Sequence, residues 1–295
     1  MLIWNKSEAG TIRDSNQERW HLEEDLGLLI MADGDGPAGS DLADLAIASL
    51  GRGARRLGAR PTRLAGIPAD SRISGTQAPT TPLSEILEST WQEIELARVS
   101  MAGGGASSLH LAVAWIRQGC LYAATLGKAG LIASVGNAIH RLEPVGLPSL
   151  AVAAGVSEAP PAHRGAAPSP VMVPVYLDPL PVTVGDWIMM ISQGLLISQP
   201  IDEIVPVTQL VHDDPERLTE GLFMKASARY DGDDRTIVLA RFLPSDITRT
   251  IMSDAVISTD FDRKFRVPLW VPLVISALLA VLAAVIGRFT DRGNE

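Results

Sequence analysis

The 295-residue sequence predicts an α+β layered domain followed by one C-terminal transmembrane helix. Short apolar runs bounded by Gly, Pro and Asp turns outnumber segments with a helical period, which gives a strand-dominated layer. Two stretches carry apolar residues at helical spacing, which supplies the packed helices. Residues 267–287, VPLWVPLVISALLAVLAAVIG, form an uncharged run long enough to span a bilayer, for which about 20 helical residues suffice.

Taken in order, residues 26–32 (LGLLIMA) read as a buried strand ending in a turn, Asp33-Gly34-Asp35-Gly36-Pro37. Ser40 and Asp41 then open a helix over 40–50, with Leu42, Leu45, Ala46 and Leu50 on one stripe. Residues 61–82 are rich in Pro, Ser and Thr without an apolar period, and read as a loop. A second helix covers 83–98, where Leu83, Ile86, Leu87, Trp91 and Ile94 share a face. Strands follow at 109–116, 120–126 and 131–135, then an Ala/Pro/Gly-rich flap at 151–170. Further strands at 171–176, 187–192 and 236–242, with helix between Gln199 and Tyr230, complete the layer. No internal repeat is visible.

Composition excludes several function classes. At 46% apolar and 20% charged the chain is not of disordered type. A formal charge of -9 sets the bulk surface against nucleic acid and gives no general affinity for anionic lipid. Arg52, Arg55, Arg56, Arg60, Arg63 and Arg72 form a local basic stretch, open to a phosphate-rich partner or headgroups and equally to a solvated face. Cys120 is the only cysteine, so no intrachain disulfide forms, and a reducing compartment fits. His21, His110, His140, His163 and His212 sit in no metal-ligand or triad spacing and read as structural or exposed.

Trp270 marks one interfacial end of the apolar run; Arg263, Lys264 and Arg266 precede it and Arg288 and Arg292 follow. Residues 1–10 contain charges and no apolar core of a signal peptide. The expected organisation is a domain at 1–245 facing the cytoplasm, a juxtamembrane linker at 246–266, a membrane helix at 267–287 and a tail at 288–295.

Acidic residues lie next to strand ends in three places: Glu18, the glycine-rich turn with Asp33 and Asp35, and the cluster Asp231, Asp233 and Asp234. Carboxylates on separated loops can converge on a hard divalent cation, with a backbone carbonyl of the turn beside them. Solvated loop acids and an ordinary Asp-Gly turn are the plainer alternatives.

The order of the short blocks is similar to that of the metal-dependent PPM, or protein phosphatase 2C, family over most of residues 10–242. The blocks are Gly10-Thr-Ile-Arg13 with Asn16-Gln17-Glu18-Arg19, Ala32-Asp33-Gly34-Asp35-Gly36, Gly105-Ala-Ser-Ser108, Leu126-Gly127-Lys128, Gly185-Asp186 leading to Ser192-Gln193-Gly194-Leu195, and Asp233-Asp234-Arg235-Thr236-Ile237. The resemblance implies a β-sandwich flanked by helices and a binuclear Mn2+ or Mg2+ centre at one end. It implies that a metal-bound water attacks a phosphoserine or phosphothreonine ester. By position, Arg13 would grip the phosphate, Asp33 would bridge two metals, Glu18 and the Gly34 carbonyl would complete one, and Asp234 would hold the other.

Two departures from the family pattern stand out. Gln193 and Lys128 occupy positions where the family carries aspartate, so two negative charges are lost and one positive charge is gained. Cations that rely on carboxylates for charge compensation are expected to bind more weakly. The expectation is a membrane-anchored phosphatase-like protein with impaired or absent catalysis that binds a phosphoprotein or membrane-associated protein. An active Mn2+/Mg2+-dependent phosphatase is the alternative.

Overall fold

The computed structural model describes residues 1–11, 15–58, 81–102, 104–144, 172–210, 214–230 and 232–246. Its strands are β1 (Leu2–Glu8), β2 (Glu18–Glu23), β3 (Leu28–Asp35), β4 (Ser108–Arg117), β5 (Cys120–Leu126), β6 (Gly130–Val135), β7 (Ala138–Leu142), β8 (Val175–Pro181), β9 (Trp187–Ile191) and β10 (Arg235–Arg241). The α-helices are α1 (Gly39–Gly58), α2 (Pro82–Ser100), α3 (Gln193–Ser198), α4 (Ile201–Leu210) and α5 (Pro215–Arg229). Two antiparallel sheets result, in the orders β1-β10-β9-β6-β7 and β2-β3-β4-β5-β8.

Strand alternation sorts the apolar side chains into three cores. On β3, Leu29 and Met31 face the opposite sheet and meet Ile188, Met190, Val238 and Ala240. Leu28, Ile30 and Ala32 of the same strand point the other way, onto Leu42, Ala46 and Leu50 of α1 and Ile86 and Ile94 of α2. The outer face of the other sheet, with Trp187, Met189, Ile237 and Leu239, packs on Leu218, Leu222 and Phe223 of α5. The layers are therefore helices, sheet, sheet and helices. A strand buried on both faces reads as a continuous apolar run, which is why β3 was legible as one.

Local chemistry starts the helices. Thr81 caps α2, its side chain accepting from the Ser84 N–H at 3.2 Å ahead of Pro82. Asp214 does the same for α5, taking the Arg217 N–H at 3.0 Å ahead of Pro215. Ser40 does not cap α1, which begins at Gly39; its hydroxyl instead accepts from the Arg19 guanidinium at 2.8 Å.

Several boundaries differ from those expected. Strand β3 continues through Asp33, Gly34 and Asp35, and the turn falls after it, so Asp33 is a strand residue with its direction fixed by the pleat. The edge strands β1 and β2 and the hairpin strand β7 were not legible. Each carries only a few apolar residues among charged ones, as exposed edges do. The strand expected at 171–176 lies at Val175–Pro181.

By its contacts the chain divides into Met1–Asp254 and Ala255–Glu295. The expected membrane segment at 267–287, the flap at 151–170 and most of the loop at 61–82 lie outside the described residues. Among the described residues no helix is long and apolar enough to cross a membrane.

Candidate functional site

Register brings the acidic residues together at one end of the sandwich. Glu18 on β2 stands opposite Asp33 on β3, and Asp33 stands opposite His110 on β4. Directly paired residues share a face, here the face that continues into the inter-sheet core through Met31 and Ala112. The other sheet brings Asp234 just before β10, Thr236 within it, and Ser192 and Gln193 where β9 meets α3. All these side chains are buried. A polar mouth thus closes a sandwich that is otherwise apolar.

Backbone amides fix the carboxylates. Asp234 accepts from the Gly10 N–H through Oδ1 at 2.9 Å and from the Gln17 N–H through Oδ2 at 2.7 Å. Asp33 Oδ2 accepts from the Gln193 N–H at 3.2 Å. The Asn16-Gln17-Glu18-Arg19 block acts as the brace. The Gln17 amide donates to the Gly36 carbonyl at 3.1 Å, Asn16 Oδ1 accepts from the Glu18 N–H at 2.9 Å, and Arg19 reaches Ser40 at the start of α1. Ser107, from the Gly105–Ser108 block, accepts from the Ala38 N–H at 2.9 Å and ties the turn after β3 to the start of β4.

Close backbone approach requires glycine at positions 34 and 194, among others. A Cβ on Gly34 would lie 2.1 Å from the Gly39 carbonyl oxygen, and one on Gly194 would lie 2.0 Å from that of Asp234. Gly194→Ala must therefore push Asp234 out of the mouth. Overpacking of this kind costs about 1–3 kcal/mol, and more where backbone has to move. The expected loss of stability is read by urea unfolding; unchanged stability would show that the Asp234 loop gives way freely.

Charge in the mouth is unbalanced. Glu18 is 4% exposed and neither carboxylate oxygen has a hydrogen bond of sound geometry, although the Thr236 and Ser192 hydroxyls lie near enough to temper its charge. Burial, and then the neighbouring Asp33 and Asp234 carboxylates, hold the Glu18 carboxyl well above the ordinary range for a glutamate. His110 is 1% exposed with its Nδ1 unpartnered, and its Nε2 lies 3.5 Å from the Ser108 hydroxyl. Burial, followed by the positive charge of Lys128 and against the pull of Asp35, brings its imidazole down from 6.5 to about 4, so it is neutral.

The structure brings Glu18, Asp33, Gly34, Asp234 and Gln193 into this mouth. Lys128 lies in the turn between β5 and β6, one residue past Gly127, which abuts His110, and near enough for its charge to act on that imidazole, which puts it at the rim of the mouth. Arg13, the expected phosphate grip, and Asp231 lie outside the described residues. The Gly185-Asp186 pair plays a different part, since Asp186 accepts from Thr183 and from the Gly136 N–H and so pins two turns together. His110 is a member of the mouth that spacing along the chain does not reveal. Its signal is its place in a strand opposite the Asp33 strand.

A divalent cation would satisfy the stranded Glu18 oxygens, with the carboxylate of its register partner Asp33 beside them. Among the described residues, however, no three His, Cys, Asp or Glu side chains are arranged to hold a metal ion. Among the described residues, Glu18 and Asp33 are the paired carboxylates that a cation at this mouth would meet first.

No family model matches the sequence, and no curated protein sequence matches it. Solved structures do. The PPM Ser-Thr phosphatase MsPP from Mycobacterium smegmatis, in complex with cacodylate, is 17% identical over 82% of this chain and 99% of its own, with a TM-score of 0.52. The S. agalactiae serine/threonine phosphatase is 17% identical over 81% of this chain and 98% of its own, at a TM-score of 0.54. The catalytic domain of the serine/threonine phosphatase PstP, solved with two manganese ions, is 16% identical over 81% of this chain and 97% of its own, at 0.51. The chain has the fold of the PPM-type serine/threonine phosphatases. Identities this low establish the fold alone, and the chemistry has to come from the mouth.

Proposed function

We propose that the chain is a membrane-anchored, PPM-type phosphatase-like protein that binds phosphoserine or phosphothreonine proteins with impaired or absent hydrolysis. One observation carries this: the residue set against Asp33 is Gln193, whose backbone N–H donates to the Asp33 carboxylate at 3.2 Å and whose side chain brings no charge. With Asp234 held by two backbone amides and Lys128 on the rim, the mouth offers less negative charge than two divalent cations need. A bound divalent cation would supply an acidified water as nucleophile. The chain's own groups here orient carboxylates and exclude solvent. The anchor at 267–287 belongs to this proposal and would restrict partners to membrane-associated phosphoproteins.

The stranded Glu18 carboxylate favours the second reading, an active Mn2+/Mg2+-dependent phosphatase, because one cation would relieve it. Phosphate release from a phosphothreonine peptide by the full-length chain, with Mn2+ and with chelator, decides between them. No turnover above the chelated control is expected; Mn2+-dependent turnover at ordinary enzymatic rates, about 1 per second or faster, would overturn the proposal.

A further inference from the structure

We propose that the Lys128 ammonium is the anion-docking group of this mouth, taking the phosphate of a phosphoserine or phosphothreonine side chain with no metal ion bound. The inference rests on the phosphoprotein-binding reading above and names the residue that does the binding. Lys128 lies two residues past the last register pair of β4 and β5, Leu111 opposite Leu126. Between them Gly127 packs on His110, so closely that an added Cβ would lie 2.3 Å from the His110 Nδ1. His110 is in turn the register partner of Asp33. Lys128 therefore sits on the rim next to the carboxylate row, close enough for its charge to act on the buried imidazole.

Lys128 is half-buried and makes no ion pair among the described residues, unlike Lys6 and Lys225, which hold Glu220 and Glu203. A half-buried lysine with no counter-ion among the described residues is one whose charge a ligand anion can pair. A phosphomonoester suits it: a compact group of nearly two negative charges with three strong acceptor oxygens, which lysine binds as a point charge. Asp33 and Asp35 oppose any anion, so among the described residues of the mouth Lys128 is the cation that offsets them, and a variant without it should lose affinity.

The test is fluorescence anisotropy of a labelled phosphothreonine peptide and its unphosphorylated twin, titrated with the full-length chain in detergent micelles containing EDTA. The unaltered protein is expected to prefer the phosphorylated peptide. Lys128→Gln should weaken that peptide's binding by roughly tenfold or more, the usual worth of a hydrogen bond to a charged group. Lys128→Arg should keep the preference, and both variants should melt as the parent does. Equal binding of the phosphopeptide by Lys128→Gln and the parent overturns the inference, as does the absence of any phosphate preference in the parent. Turnover with Mn2+, measured on the same samples, addresses the non-hydrolytic reading separately: the parent can fail that test while the Lys128 binding result stands.

Discussion

Lys128→Asp combined with Gln193→Asp is expected to give Mn2+-dependent hydrolysis of a phosphothreonine peptide at least roughly tenfold above the unaltered chain. Gln193 lies against Asp33, its N–H 3.2 Å from the carboxylate, so an aspartate there adds a carboxylate to the wall that Asp33 already occupies. Lys128 lies on the adjoining rim, and its replacement exchanges a positive for a negative charge. At an effective dielectric near 20, unit charges about 4 Å apart interact by about 4 kcal/mol. Three units of charge change are therefore large even after desolvation offsets most of the gain. Phosphate release and Mn2+ binding by calorimetry check the outcome together. A folded double variant that neither binds Mn2+ nor turns over would show that the charge deficit at these two positions is not what silences the site. Full activity in the unaltered chain would show that the thinner donor set suffices.

Glu18→Gln is expected to stabilise the protein at neutral and higher pH when divalent cations are absent. The Glu18 carboxyl is held well above its ordinary 4.5 by burial and by Asp33 and Asp234. Since the folded pKa exceeds the unfolded one, the folded state binds the proton more tightly than the unfolded chain does. Its contribution is fully present below about 4.5 and is lost as the pH rises through the folded value. Above that point the native protein must either ionise a buried, unpartnered carboxylate or bear the cost of keeping it protonated. An unsatisfied buried polar group costs about 1–3 kcal/mol, and more when charged. The glutamine variant should therefore gain at least about 1 kcal/mol at pH 8 in EDTA, with the gain fading toward pH 4. Urea unfolding across pH reads this directly. Added Mn2+ should reverse the order, stabilising the unaltered chain and not the variant; no pH dependence of the difference would mean that Glu18 is satisfied by groups beyond the described residues.

Much of the layer was legible because burial leaves a simple record. Residues 26–32 form a nearly unbroken apolar run, and the structure buries the strand within it on both faces. The stripe Leu83, Ile86, Leu87, Ile94 is the buried face of α2. Edge strands leave almost no record: β2 reads ERWHLE, where only Trp20 and Leu22 face the core among charged neighbours. The glycine-rich segment misled for a local reason. Asp-Gly pairs favour turns, yet Asp33 and Gly34 pair with His110 and Leu109 and extend β3 to Asp35, because ladder hydrogen bonds outweigh turn propensity there.

For the site, the blocks in their order supplied the carboxylates Glu18, Asp33 and Asp234 and marked Lys128 and Gln193 as departures. That Glu18 and Asp33 are register partners, that His110 continues their row, and that Gly10 and Gln17 hold Asp234 with their amides was decided only by tertiary structure. The physical reason is separation along the chain. A strand's own sequence records which of its faces is buried, since alternation is local, whereas the partner opposite a given residue depends on sheet order and register. The Glu18 and Asp234 carboxylates, 216 residues apart in the sequence, act on each other only because both sheets end at the same mouth.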